Sequence, residues 1–112
     1  MLTIEQREQK VQELSVKHGC EIKDWTIENP KHGQVLCFAK EPTIHILYAA
    51  FDKMLISPSS AGELIMEGVI LKEESDPRIF DTTKSKNFDI ILSMNLKCQG
   101  LVQFAIDDVK KK

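Results

Sequence analysis

Between Thr43 and Leu71 two apolar segments stand either side of Ser57-Pro58-Ser59-Ser60, and this arrangement constrains the fold more than any other stretch of the chain. In the first segment Ile44, Leu47, Tyr48, Phe51 and Leu55 recur at the spacing that lines up side chains on one face of a helix. His45, Asp52 and Lys53 take the other side. Glu41-Pro42 ends whatever precedes it, because proline lacks a ladder donor and biases the residue before it away from helix. Thr43 can then accept from the free amides of the first turn. In the second segment Ser60 followed by Glu63 reads as a capping box, with Ala61, Leu64, Ile65 and Met66 as the apolar side and Gly68 as the stop. The spacing predicts helix, turn and helix over 43–71. Val69-Ile70-Leu71 fits either an extension of the helix or a short strand, since so short a run has no distinguishing period.

Upstream, Thr3 and Gln6 form a second capping-box pattern that starts a helix at Ile4, running to about His18 with Gly19 as its stop. Its apolar positions, Ile4, Val11, Leu14 and Val16, are sparse among charges, as suits a helix lying on a surface. Strand-forming residues from Cys20 to Ile27 and from Gln34 to Lys40 flank the turn-rich Asn29-Pro30-Lys31-His32-Gly33 and predict a β-hairpin over 20–41. An isolated hairpin is marginal, so helices must cover it, and its edges are guarded only by charges such as Lys23 and Glu28. The polar stretch 72–85, with Asp76-Pro77, reads as an exposed, mobile connection with at most one turn around Ile79-Phe80. Helical spacing returns over 86–110 through Phe88, Ile91, Leu92, Leu101, Val102, Ala105, Ile106 and Val109, with Ser85 as a cap. Gly100 lies within it at a cost of about 1 kcal/mol relative to alanine and leaves a kink or a break open. A chain of 112 residues fits one domain, 1–112. The expected class is α+β: an N-terminal helix, a two-stranded antiparallel hairpin, then three to four helices packed on one of its faces.

Composition narrows function mainly by exclusion. A formal charge of −2 gives no long-range pull on a polyanion, and Trp25 and Phe38 sit amid Glu21, Asp24 and Glu28, so nucleic acid is not expected as a partner. Lys110-Lys111-Lys112 follows Asp107-Asp108 and suits a helix C-terminus. The N-terminus has no secretory-signal pattern and no apolar run is long enough for a membrane, which makes the cytoplasm the expected compartment. Three cysteines, Cys20, Cys37 and Cys98, cannot all pair and read as reduced thiols. His18, Cys20, His32 and Cys37 invite a zinc reading, but the closely spaced ligand pairs of structural zinc sites are absent, so no metal is expected. The five glycines are dispersed and form no phosphate loop, so no nucleotide cofactor is expected. The remaining enzymatic reading is a Cys37 nucleophile with His45 as base. It is the weakest, because Cys37 lies between Leu36 and Phe38, where an inert core thiol is the commoner state. A protein without catalytic residues is expected.

Ala39-Lys40-Glu41-Pro42-Thr43, then Ala49-Ala50, then Gly62-Glu63-Leu64-Ile65 resemble, in order, features of the small tail assembly chaperones of tailed phages and prophages. The charged leading helix, the strand ending at a basic-x-Pro step and the Lys-rich helical end add to the likeness. Val69-Ile70-Leu71-Lys72-Glu73 stands where many such proteins carry an aromatic and a Gly-Gly-Asp-like turn. The resemblance implies a non-enzymatic protein that transiently binds helical segments of a tape-measure protein, and tail-tube subunits, until the tube polymerises. That role needs an apolar helical surface. Tyr48, Phe51 and Leu55 of the second helix and Leu101 and Phe104 of the last are its candidate contacts. The competing class is a stand-alone cytoplasmic protein-binding or regulatory domain with an unrelated partner.

Overall fold

The computed structural model describes residues 1–111 and is a mixed α+β protein. Its elements in chain order are α1 (Ile4–His18), β1 (Ile22–Asp24), β2 (Ile27–Asn29), β3 (Gly33–Val35), β4 (Phe38–Lys40), α2 (Ile44–Met54), α3 (Pro58–Val69) and α4 (Phe88–Lys110), with short 3₁₀ turns at Pro77–Ile79 and Ser85–Asn87. Where chain length suggests one compact unit, the contacts gather the residues into two: Met1–Glu41 with Val69–Pro77, and Pro42–Gly68 with Arg78–Lys112.

In the first unit, the side chain of Thr3 accepts from the Gln6 amide and the Gln6 side chain accepts from the Thr3 amide, so two free donors of α1 are satisfied reciprocally. Gly19 closes the helix at φ 65°, a left-handed conformation that costs a residue without a Cβ little. Leu14 alone of α1 is fully buried, in a cluster with Ile22, Phe38 and Leu71, against which Val11, Cys20 and Leu36 pack. Ile4 and Val16, expected on the same stripe, are exposed. Lys10 lays its ammonium 5.8 Å from the centre of the Phe38 ring.

The hairpin has one register and two ladders. Ile22 faces Lys40 and Asp24 faces Phe38; beyond a gap, Ile27 faces Val35 and Asn29 faces Gly33. In the gap the Trp25 amide donates to the Cys37 carbonyl at 2.7 Å, but the Cys37 amide donates to the Thr26 hydroxyl at 3.2 Å. The Thr26 hydroxyl competes with the ladder for the Cys37 amide at the point where the pairing, expected as one two-stranded sheet, divides into a β1-β4 sheet and a β2-β3 sheet. At the turn the Asn29 side chain accepts from the amides of Lys31 and His32, and Gly33 adopts φ +77°.

The segment after α3 lies along the outer edge of β4. Ile70 bridges to Ala39, the Leu71 amide donates to the Phe38 carbonyl at 2.8 Å, and the Asp76 amide donates to the Leu36 carbonyl at 2.7 Å. The Phe38 amide donates to the Ser75 hydroxyl at 3.0 Å. Two expectations are corrected. The edge of β4, read as open, is covered, and 72–85 is not exposed throughout: Ser75 and, further on, Ile79 are buried. A serine hydroxyl that can serve a strand's unpaired amide makes a polar segment suitable for burial. Val69–Leu71 takes neither alternative alone, since the helix ends at Val69 and Ile70 makes the bridge.

Glu74 fastens this segment to α1. Its carboxylate lies 3.3 Å from Lys10 Nζ and 3.5 Å from Lys17 Nζ. The Lys10 hydrogen bond, aided by Lys17, holds the Glu74 carboxyl below its ordinary value despite opposition from burial. A lowered folded-state pKa contributes stability that is complete above the unfolded value, near 4.3, and is lost as pH falls through the lowered folded value. Glu74→Gln is therefore expected to lower stability at neutral pH by about 0.5–1 kcal/mol after solvent screening. The difference from wild type should shrink progressively in urea unfolding curves as the pH is taken from neutral down through the acid range.

In the second unit Thr43 caps α2 by accepting from the Ile46 amide. α3 begins earlier than the Ser60/Glu63 pattern suggests. Pro58 is its first residue, and the Ser57 carbonyl accepts from the amides of Ser60 and Ala61. Proline is favoured at the first helical position because the amide it lacks would be unpaired there anyway. Ser60 and Glu63 consequently lie inside the helix and form no capping box. Ser85 likewise opens the 3₁₀ turn rather than capping α4. α4 passes Gly100 without interruption. Gly62 of α3 meets Asn95 of α4 closely: a Cβ added there would fall on the Asn95 side chain and 2.8 Å from its backbone oxygen. Asn95 is buried, donates to the Ser59 carbonyl at 2.9 Å and accepts from Gln99 at 2.7 Å.

Candidate functional site

An apolar concavity of the second unit runs between α2 and the C-terminal half of α4, an open groove of about 570 Å³. Ile44, Leu47, Tyr48 and Phe51 form its α2 wall; Val102, Ala105, Ile106 and Val109 form its α4 wall, ending at Lys110. Both walls follow the same i, i+3, i+4, i+7 rule, so each helix contributes one two-turn stripe. Only Val102 among these is fully buried, while Ile44, Tyr48 and Val109 are each about 70% exposed, at 69%, 68% and 70%. Apolar side chains left this open in a row mark a surface suited to further burial.

The five candidate contacts separate. Tyr48 and Phe51 line the groove. Leu55 is the C-terminal cap residue of α2 and is exposed outside it. Leu101 is half-buried and also outside it, and Phe104, 77% exposed, lies about 200° around α4 from Val102 at 3.6 residues per turn. Ile44, Leu47, Val102, Ala105, Ile106 and Val109 were each visible as helical-period positions but not as site residues. Matching the two stripes by their common spacing would have found them.

The chemistry-bearing side chains lie elsewhere. Cys37 is buried in the first unit, whereas His45 is exposed on α2 in the second. Burial pushes the Cys98 thiol up to about 12, which leaves it protonated and unreactive at neutral pH. Among the described residues no group of three His, Cys, Asp or Glu side chains could hold a metal ion, and no helix is long and apolar enough to cross a membrane. A second, more polar concavity in the first unit is lined by Leu2, Gln34, Leu36 and the segment 73–77, with Gln34 bonded to both the amide and the carbonyl of Leu2. No protein-family model, curated protein or solved structure matches the chain.

Proposed function

We propose that this chain is a non-enzymatic cytoplasmic protein that binds an amphipathic helix of a partner in the α2/α4 groove, and that it serves as a tail assembly chaperone for a tape-measure protein. The observation that supports binding is the groove itself, two apolar stripes of equal length with their outer residues open to solvent. Helix-in-groove recognition uses this geometry, with partner side chains at i, i+3, i+4 and i+7 as anchors. The tail-assembly role rests on the order of Lys40-Glu41-Pro42, Ala49-Ala50 and Gly62-Glu63-Leu64-Ile65. A chaperone must release its client, and a shallow open groove favours reversible over permanent burial.

Co-expression with a tape-measure protein and affinity pull-down tests the role. The wild-type chain is expected to retain it, and Tyr48→Asp to weaken retention about tenfold, as loss of a central aromatic anchor does. Tyr48 is exposed, so the variant should keep the wild-type melting temperature. A wild-type chain that fails to retain a tape-measure protein removes the chaperone assignment; retention of some unrelated helix instead supports the general binding domain.

A further inference from the structure

Among the described residues the groove walls carry one charged side chain, Lys110, and it stands at one end of the α4 stripe, after Val102, Ala105, Ile106 and Val109. Among the described residues Lys110 has no ion-pair or hydrogen-bonding side-chain partner. From Ile44 to Phe51 the α2 wall extends about 10 Å, the length of two helical turns. A neutral partner laid over these two turns would strip water from the ammonium without replacing it, whereas a carboxylate at the partner's edge would offset that loss. A partner lysine at the same place would be repelled.

Resting on the helix-binding reading above, we propose that Lys110 gives the groove its selectivity: the preferred occupant is a helix whose two-turn apolar face is flanked by an acidic side chain. The charge selects among apolar helices that the stripes alone would accept equally.

Two fluorescein-labelled synthetic peptides test this by anisotropy with the full chain. Both carry Leu at i, i+3, i+4 and i+7 on an Ala/Gln background, one flanked at both ends by Glu and the other by Lys. The Glu-flanked peptide is expected to bind about fivefold more tightly at low salt, a difference that shrinks as salt screens the pair. Lys110→Glu should invert the preference. Lys111→Glu, one residue further on and outside the groove lining, should preserve it. Equal binding of the two peptides to the wild-type chain overturns the selectivity while leaving helix binding intact, as does equal loss of preference in both variants. Failure of both peptides to bind overturns the helix-binding reading together with it.

Discussion

Replacing Gly62 with alanine is expected to destabilise the protein by about 2–3 kcal/mol, the cost of overpacking a tight contact. The sign runs against the local rule, because glycine to alanine in a helix interior ordinarily gains about 1 kcal/mol. What reverses it is Asn95. An alanine Cβ would coincide with the Asn95 side chain and approach its backbone oxygen to 2.8 Å, and neither can retreat freely. The side chain is buried, tied to the Ser59 carbonyl and to Gln99, and displacing it would leave polar atoms unpaired away from water. Gly100 supplies the opposite case in the same unit. It is helical, and nothing lies within 4 Å of the Cβ that alanine would add. Gly100→Ala should therefore stabilise by about 1 kcal/mol. Thermal unfolding followed by far-ultraviolet circular dichroism should move down for Gly62→Ala, by roughly 10 °C, and up for Gly100→Ala. If Gly62→Ala melted at or above wild type, the close approach of α3 and α4 would be disproved.

The same glycine shows where sequence reading stops. As a residue, Gly62 looks like part of a short family-like motif or a tolerated helix defect; its role as the contact point for Asn95 depends on a residue 33 positions away. Features written within a few residues were legible: the reciprocal cap of Thr3 and Gln6, the stop at Gly19, the cap at Thr43. Even local grammar failed where two local signals competed. Ser60 and Glu63 have the spacing of a capping box, but Pro58 already fills the first helical position, and the helix starts there. The hairpin was legible as an alternation around a turn, but its division was not, since a threonine hydroxyl competing with the ladder leaves no periodic trace. Nor was the burial of Ser75, a polar residue in a polar segment, whose use appears only beside the Phe38 amide. For the groove, the spacings of both stripes were in plain view. Which stripe a fold covers and which it leaves open is a tertiary outcome, and so Phe104 and Leu55 looked as eligible as Tyr48.

Phe38 carries the other large effect. Its side chain is fully buried among Leu14, Ile22 and Leu71, which join α1, β1, β4 and the segment after α3, and Lys10 covers one face of the ring. Phe38→Ala should lower stability by about 3–5 kcal/mol, from lost transfer energy together with the cavity left behind. That approaches the whole margin of many small domains, so a substantial unfolded fraction is expected at 37 °C. Trp25, the chain's single tryptophan, lies in the same unit, and its fluorescence during urea unfolding reports the loss directly. Two milder variants separate the ring from the backbone contacts at this position. Phe38→Leu keeps most of the apolar volume and should cost under about 2 kcal/mol. Ser75→Ala leaves the ring in place but strands the Phe38 amide, and should cost about 1–3 kcal/mol. The expected order of urea midpoints puts Phe38→Ala well below both of them, with wild type highest. Were Phe38→Ala to cost less than about 1 kcal/mol, below any full loss of a buried ring, the Leu14, Ile22 and Leu71 cluster could not be the core that holds the first unit together.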